Sequence, residues 1–140
     1  MKTPAHLWII GVIALLWNAG GAYDYVMTQT QNAAYLEMLT DAQKAFLDAG
    51  PVWFEAAWAV GVWFSVIGAA LLLLRSRFAG AAFGVSFVGL VVASVYSFVL
   101  GDRSELEMTI AQLGFSVAIF VVLIILCVYA RAMTRRGVLR

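Results

Sequence analysis

The sequence holds one cysteine, Cys127, and one histidine, His6. A lone cysteine cannot close an intrachain disulfide, and neither residue has the companions that a thiolate or imidazole metal site needs. The carboxylates show no EF-hand spacing. No phosphate-binding glycine loop, dinucleotide fingerprint, HExxH or GxSxG occurs, so no cofactor is expected and nothing supports nucleotide-driven or metal chemistry. Charge is scarce as well. Lys, Arg, Asp and Glu make 12% of the 140 residues, about half the share found in soluble domains. The basic residues form no patch broad enough for a nucleic-acid partner.

What the chain has in place of charge is apolar length. Hydrophobic residues make 64% of it and the mean hydropathy is +0.92, and this excess is gathered into four runs. They cover about Pro4 to Ala22, Pro51 to Leu74, Ala79 to Leu100 and Leu106 to Ala130. Each is near the roughly 20 helical residues that cross a hydrocarbon core. Lipid offers no partner for backbone N–H and C=O groups, so each run is expected to be a helix. A single all-α domain of four antiparallel spans over residues 1–140 follows, and the chain is too short to bury four such helices in a soluble shell.

Punctuation marks the ends. Pro4 suits a first helical turn with Thr3 as its cap, and Gly50-Pro51 reads as a stop and a new start. Thr40 to Gln43 (TDAQ) and Ser104 to Glu107 (SELE) are capping-box patterns. The short turns at 75–77 and 101–103 make spans two, three and four close neighbours. The connection from 26 to 50 is longer, and its apolar residues Tyr35, Leu36, Leu39, Phe46 and Leu47 suggest a short helical hairpin on the outer membrane surface or over the bundle.

Charge distribution supplies an orientation. Lys2, Arg75, Arg77, Arg131, Arg135, Arg136 and Arg140 fall at one end of the bundle. Lys44 and Arg103 fall at the other, with Asp24, Glu37, Asp41, Asp48, Asp102, Glu105 and Glu107. The positive-inside rule then places both termini in the cytoplasm. A leader ending after Ala22 is the alternative for the first run. Cleavage there would leave three spans, and the segment is read as retained.

The candidate functional residues are polar groups in or beside the spans at the acidic end. Glu55 is the one acid inside a span, one helical turn from Trp58 on the same face. Asn18, Tyr96 and Gln112 lie at comparable depth, and Asp24 stands at the boundary between Tyr23 and Tyr25. Burying an unpaired carboxylate is costly, so Glu55 is expected to face water, a neighbouring helix or a partner. If a bundle gathers these groups, they form either a hydrogen-bonded clamp between helices or a pocket for a lipid-like or small polar ligand. Small residues (Gly80 with Gly84; Ser86, Gly89, Ala93 and Ser97; Ala57, Gly61, Ser65 and Gly68) mark surfaces of close helix contact, and Gly20-Gly21 marks a close contact or bend.

The stretches LWNAGGAYDYVMTQT, PVWFEAAWAVGVW and VYSFVL resemble a family of small four-span bacterial inner-membrane proteins with an LWN…G…DYVMTQT signature. The resemblance covers nearly the whole chain and implies a multi-pass inner-membrane protein. Some members carry the generic description of sugar transporter, and none contributes residue roles to carry over. The expected partners are membrane lipids and either further copies of the chain or a larger membrane complex. The leading expectation is a non-enzymatic membrane component that associates with itself or with a larger complex, its outer polar cluster either orienting helices or receiving a lipid-like molecule. The alternative is an oligomeric transporter of a small molecule or cation, built around Glu55.

Overall fold

The protein is described by a computed structural model covering residues 2–101, 106 and 109–140. It is an all-α, four-span structure. The elements are α1 (Ala5–Gln29), α2 (Ala33–Leu36), α3 (Asp41–Asp48), α4 (Val52–Leu73), α5 (Ala79–Val95), a π-helical turn (Tyr96–Leu100) and α6 (Ile110–Arg135). The long helices α1, α4, α5 (with its π turn) and α6 are each apolar enough to cross a membrane. Helix α4 packs on α1 and on α5, and α5 packs on α6, while α1 and α6 meet through the side-chain pairs His6–Tyr129 and Trp17–Phe115.

The tightest seam joins α4 to α5. Ala57, Gly61, Ser65 and Gly68 of α4 face Phe83, Ser86, Gly89 and Ala93 of α5, and all are buried. A β-carbon on Gly89 would meet the Ala57 carbonyl and the Gly61 amide nitrogen at 2.8 Å, so the two backbones touch where side chains normally intervene. The Ser86 hydroxyl donates to the Gly61 carbonyl at 2.5 Å across the seam. The missing side chain of Gly68 is replaced by the Phe83 ring. The expected small-residue stripes are thus spent on each other, inside the chain. Gly80, by contrast, faces Ala130 and Arg131 of α6, and Gly84 has nothing near it.

Helix α1 docks on α4 through Leu7, Gly11 and Ala14, with Leu73 filling the space over Gly11. Helix α6 joins by its second half, where Leu123, Leu126, Ala130 and Met133 meet Leu7, Leu72, Ala79 and Phe83 in one core. His6 Nδ1 and the Tyr129 hydroxyl, 2.6 Å apart, tie α1 to α6 at the same end. After α6 the chain reverses at Gly137 (φ +74°) in a Schellman turn, with Val138 N–H donating to the Met133 carbonyl. Val138 and Leu139 are buried under the bundle, so the basic tail, whose arginines set the expected orientation, is also a plug.

Several sequence expectations shift. Helix α1 runs on to Gln29, because Gly20 and Gly21 meet nothing and neither bends nor contacts a neighbour. The outer connection consequently begins at Thr30. Pro4 is itself the N-cap of α1, and Thr3 accepts a hydrogen bond from Arg75 in place of capping. The TDAQ box forms as expected at Thr40 and Gln43. The SELE box and the charges Asp102, Arg103, Glu105 and Glu107 lie outside the described residues. Helix α6 starts instead with a second box at Thr109 and Gln112, whose TIAQ pattern repeats TDAQ, and it extends to Arg135.

The seam makes a measurable claim. Gly89→Ala should lower stability by about 1–3 kcal/mol, the usual cost of overpacking, whereas Gly84→Ala should be neutral or slightly stabilising. Unfolding of both variants in mild detergent checks this pair. Equal effects would contradict the seam.

Candidate functional site

Away from the basic end, α1, α4 and α5 stay packed, and a space opens between them and the first half of α6. Helices α1, α3, α4, α5 and α6 border an open-sided cavity of about 900 Å³, within the size range of small-molecule sites. Asp24 and Thr28 come from the end of α1, Phe54 and Trp58 from α4, and Leu90, Ala93, Ser94, Ser97 and Phe98 from α5 and its π turn. The first half of α6 contributes Gln112, Phe115, Ser116, Ile119 and Phe120, and α3 covers the opening with Thr40, Gln43, Phe46 and Leu47. The wall runs along α6 from Thr109 to Phe120, about 16 Å at 1.5 Å per residue, or roughly half the thickness of a hydrocarbon core. The floor closes where Phe87 and Phe120 meet edge to face, with centroids 6.1 Å apart.

The roof is anchored by aromatic packing. Phe46 of α3 sits against Tyr96, with ring centroids 5.3 Å apart, and Tyr96 in turn packs on Phe54 at 4.5 Å. Gly101 leaves the room this needs, since a β-carbon there would lie 2.6 Å from the Phe46 ring. The π turn is closed by Gly101 N–H donating to the Tyr96 carbonyl at 2.7 Å. A second anchor joins α2 to α1. The Tyr35 hydroxyl donates to Asp24 Oδ1, and the Tyr23 and Tyr35 rings meet edge to face.

Polar groups concentrate at the rim, and the deeper wall is apolar apart from the Ser94 and Ser116 hydroxyls. Among the described lining residues, Asp24 is the only ionisable one. Gln43 and Gln112 each use the side-chain carbonyl to accept the N-cap amide of their own helix, at 2.9 and 3.0 Å, which leaves each NH2 group as a donor. Thr28 and Ser116 donate to carbonyls one turn back in their own helices. Such a rim hydrogen-bonds a neutral oxygen-bearing group, while the aromatic and aliphatic walls accept a hydrocarbon.

Of the six residues singled out from sequence, three meet at this cavity: Asp24 at its mouth, Trp58 in its wall and Gln112 on its rim. The other three stand outside its lining. Asn18 lies on the face of α1 that packs against α4, in step with Ala14 and Ala22, and its buried Nδ2 has no partner among the described residues. Glu55 is half-buried on the first turn of α4, and among the described residues its carboxylate has no hydrogen bond or ion pair. Tyr96 is buried behind the wall, where it supports Phe46 and Phe54. Helix rotation explains the split. Glu55 and Trp58 sit about 60° apart around the axis, since three residues turn about 300°, enough to put only one of them in the wall. Sequence reading placed Phe46 only on an apolar hairpin face and passed over the pair Phe115 and Phe120. Their apolar character carries no mark that separates a cavity wall from a lipid-facing surface.

The anchors can be tested separately. Phe46→Ala should speed amide exchange across 33–48 by about tenfold or more, and Tyr35→Phe by about fivefold, the worth of one hydrogen bond near 1 kcal/mol. Hydrogen-exchange mass spectrometry reads both, with exchange in α4 as the reference that should not move.

Compared with family models, curated proteins and solved structures, the chain finds no match.

Proposed function

We propose that this chain is a non-enzymatic component of a bacterial inner membrane that holds a lipid-like molecule in its half-membrane cavity. The molecule has an apolar chain and a neutral, hydrogen-bonding head. The observation that carries this reading is the cavity itself, roofed at the interface and apolar down to mid-membrane. A phosphate head suits the described rim poorly, because its one ionisable group is an acid. The protein works as a homo-oligomer or as an accessory subunit, presenting the bound molecule to a partner. Both termini face the cytoplasm in this reading, supported by the seven basic residues at that end. A transport reading centred on Glu55 has less support, since its carboxylate stands outside the cavity wall and has no polar companion among the described residues.

Native mass spectrometry after gentle extraction tests the reading. One discrete small molecule should remain per chain, and the double variant Ser94→Trp with Ala111→Trp, which fills the cavity, should retain it at least about tenfold less. A wild-type chain carrying only bulk phospholipid would overturn the proposal. Reporter fusions at each terminus give the orientation, with cytoplasmic signals expected from both.

A further inference from the structure

The basic end carries a second, smaller site of opposite character. Three separate segments converge there: Lys2 and Thr3 before α1, Arg75 in the turn between α4 and α5, and Gly137, Val138 and Arg140 after α6. They surround a polar notch of about 10 Å³, room for about one oxygen atom. The convergence is built. Arg140 N–H donates to the Arg75 carbonyl at 2.8 Å, and Arg77 N–H donates to the Arg140 carbonyl at 3.0 Å, so the tail and the turn are paired like two strands. The buried Val138 and Leu139 hold the tail in that position. Arg75 adopts a left-handed backbone (φ 57°), and its guanidinium donates to Thr3 Oγ1 at 2.9 Å.

Side-chain charge at this end is of one sign. Lys2, Arg75 and Arg140 line the notch, and Arg77 belongs to the paired turn. All eight acids of the sequence lie from Asp24 to Asp48, at Glu55 or from Asp102 to Glu107, and none of these positions falls in the segments forming this end. The one ion pair among the described residues, Lys44 with Asp41, is at the opposite end. Guanidinium N–H groups left over from the Thr3 contact, an ammonium and a one-oxygen notch together match a phosphate, one of whose oxygens enters while the others stay outside. Helix ends at Ala5, Leu73 and Ala79 surround the notch, which puts it at the level where lipid phosphates lie.

We infer that Lys2, Thr3, Arg75 and Arg140 form a binding site for a phosphate group, whether of a lipid headgroup or free in solution. The site is independent of the half-membrane cavity and of the ligand proposed for it.

The test uses the full chain in phosphatidylcholine nanodiscs, in two arms. In the first, phosphatidylglycerol is added and its retention is counted by native mass spectrometry. In the second, inorganic phosphate is titrated and its phosphorus NMR line width is followed. The variant is Arg75→Asn with Arg140→Gln; asparagine tolerates the left-handed backbone, and the backbone pairing of the tail is untouched. Arg135→Gln with Arg136→Gln is the charge-matched control, because neither residue lines the notch. Binding in the notch variant should fall at least about tenfold below that in the control, the loss of one charge-assisted hydrogen bond. That result in either arm supports the site, and the responding arm names the source of the phosphate. Equal losses in the two variants, or no binding in either arm, would overturn it. Thr3→Ala, which leaves every charge in place, should give a smaller loss in the same arm, and an unchanged Thr3→Ala together with an unchanged notch variant would also overturn it.

Discussion

The contact of the α4 and α5 backbones at Gly61 and Gly89 is the constraint on which the rest of the bundle depends. Lipid tails are as apolar as leucine, so burying hydrocarbon between helices gains little in a membrane, and close packing with a few hydrogen bonds decides the arrangement. Here the seam supplies both, in a glycine-to-glycine approach and the Ser86 hydroxyl on the Gly61 carbonyl. With α4 and α5 pressed together, Phe83 and Leu72 define the surface that α1 and α6 must fit. Helix α1 follows α4 to the other end, where Tyr25 still packs on Trp58 and Trp63, whereas α6 joins the common core at the basic end only. Toward the other end α6 touches its neighbours through the ring pairs Trp17–Phe115 and Phe87–Phe120, and the space left between the helices is the cavity.

The two ends of the molecule therefore have different physical characters. The basic end is closed by core packing and by the returning tail, with Val138 and Leu139 inserted beneath α1 and α6. The other end is spanned by α3, a short helix with no buried residue of its own, held by the Phe46 ring and by the Tyr35–Asp24 hydrogen bond through α2. A segment with so few buried contacts opens at lower cost than the spans beneath it. Closed base and lightly held roof together favour exchange of a molecule at the roofed end.

Legibility in the sequence followed the range of the interactions. The four spans and the TDAQ cap are local properties of hydropathy and of a four-residue pattern, and both could be read directly. The small residues of α4 and α5 also pointed to close contact, though sequence alone does not say whether the contact is internal or with another chain. The polar cluster was only half legible. Depth along a span follows from counting residues, but direction around the helix depends on packing. Trp58 and Gln112 thus reach the cavity while Glu55 and Asn18, at similar depth, do not. The tail shows the same limit. GVLR reads as the end of a basic stretch, and only the turn at Gly137 carries Val138 and Leu139 back into the core.

The central claim is that a defined molecule, distinct from the surrounding bilayer, occupies the space between α4, α5 and α6. Photo-crosslinking from inside that space addresses it most directly. A benzophenone side chain at position 120 lies in the cavity wall, and one at position 88, exposed on the outside of α5, lies at similar depth. Illumination in native membranes should give one predominant adduct mass from position 120 and a spread of ordinary lipid masses from position 88. The same spread from both positions would contradict the account.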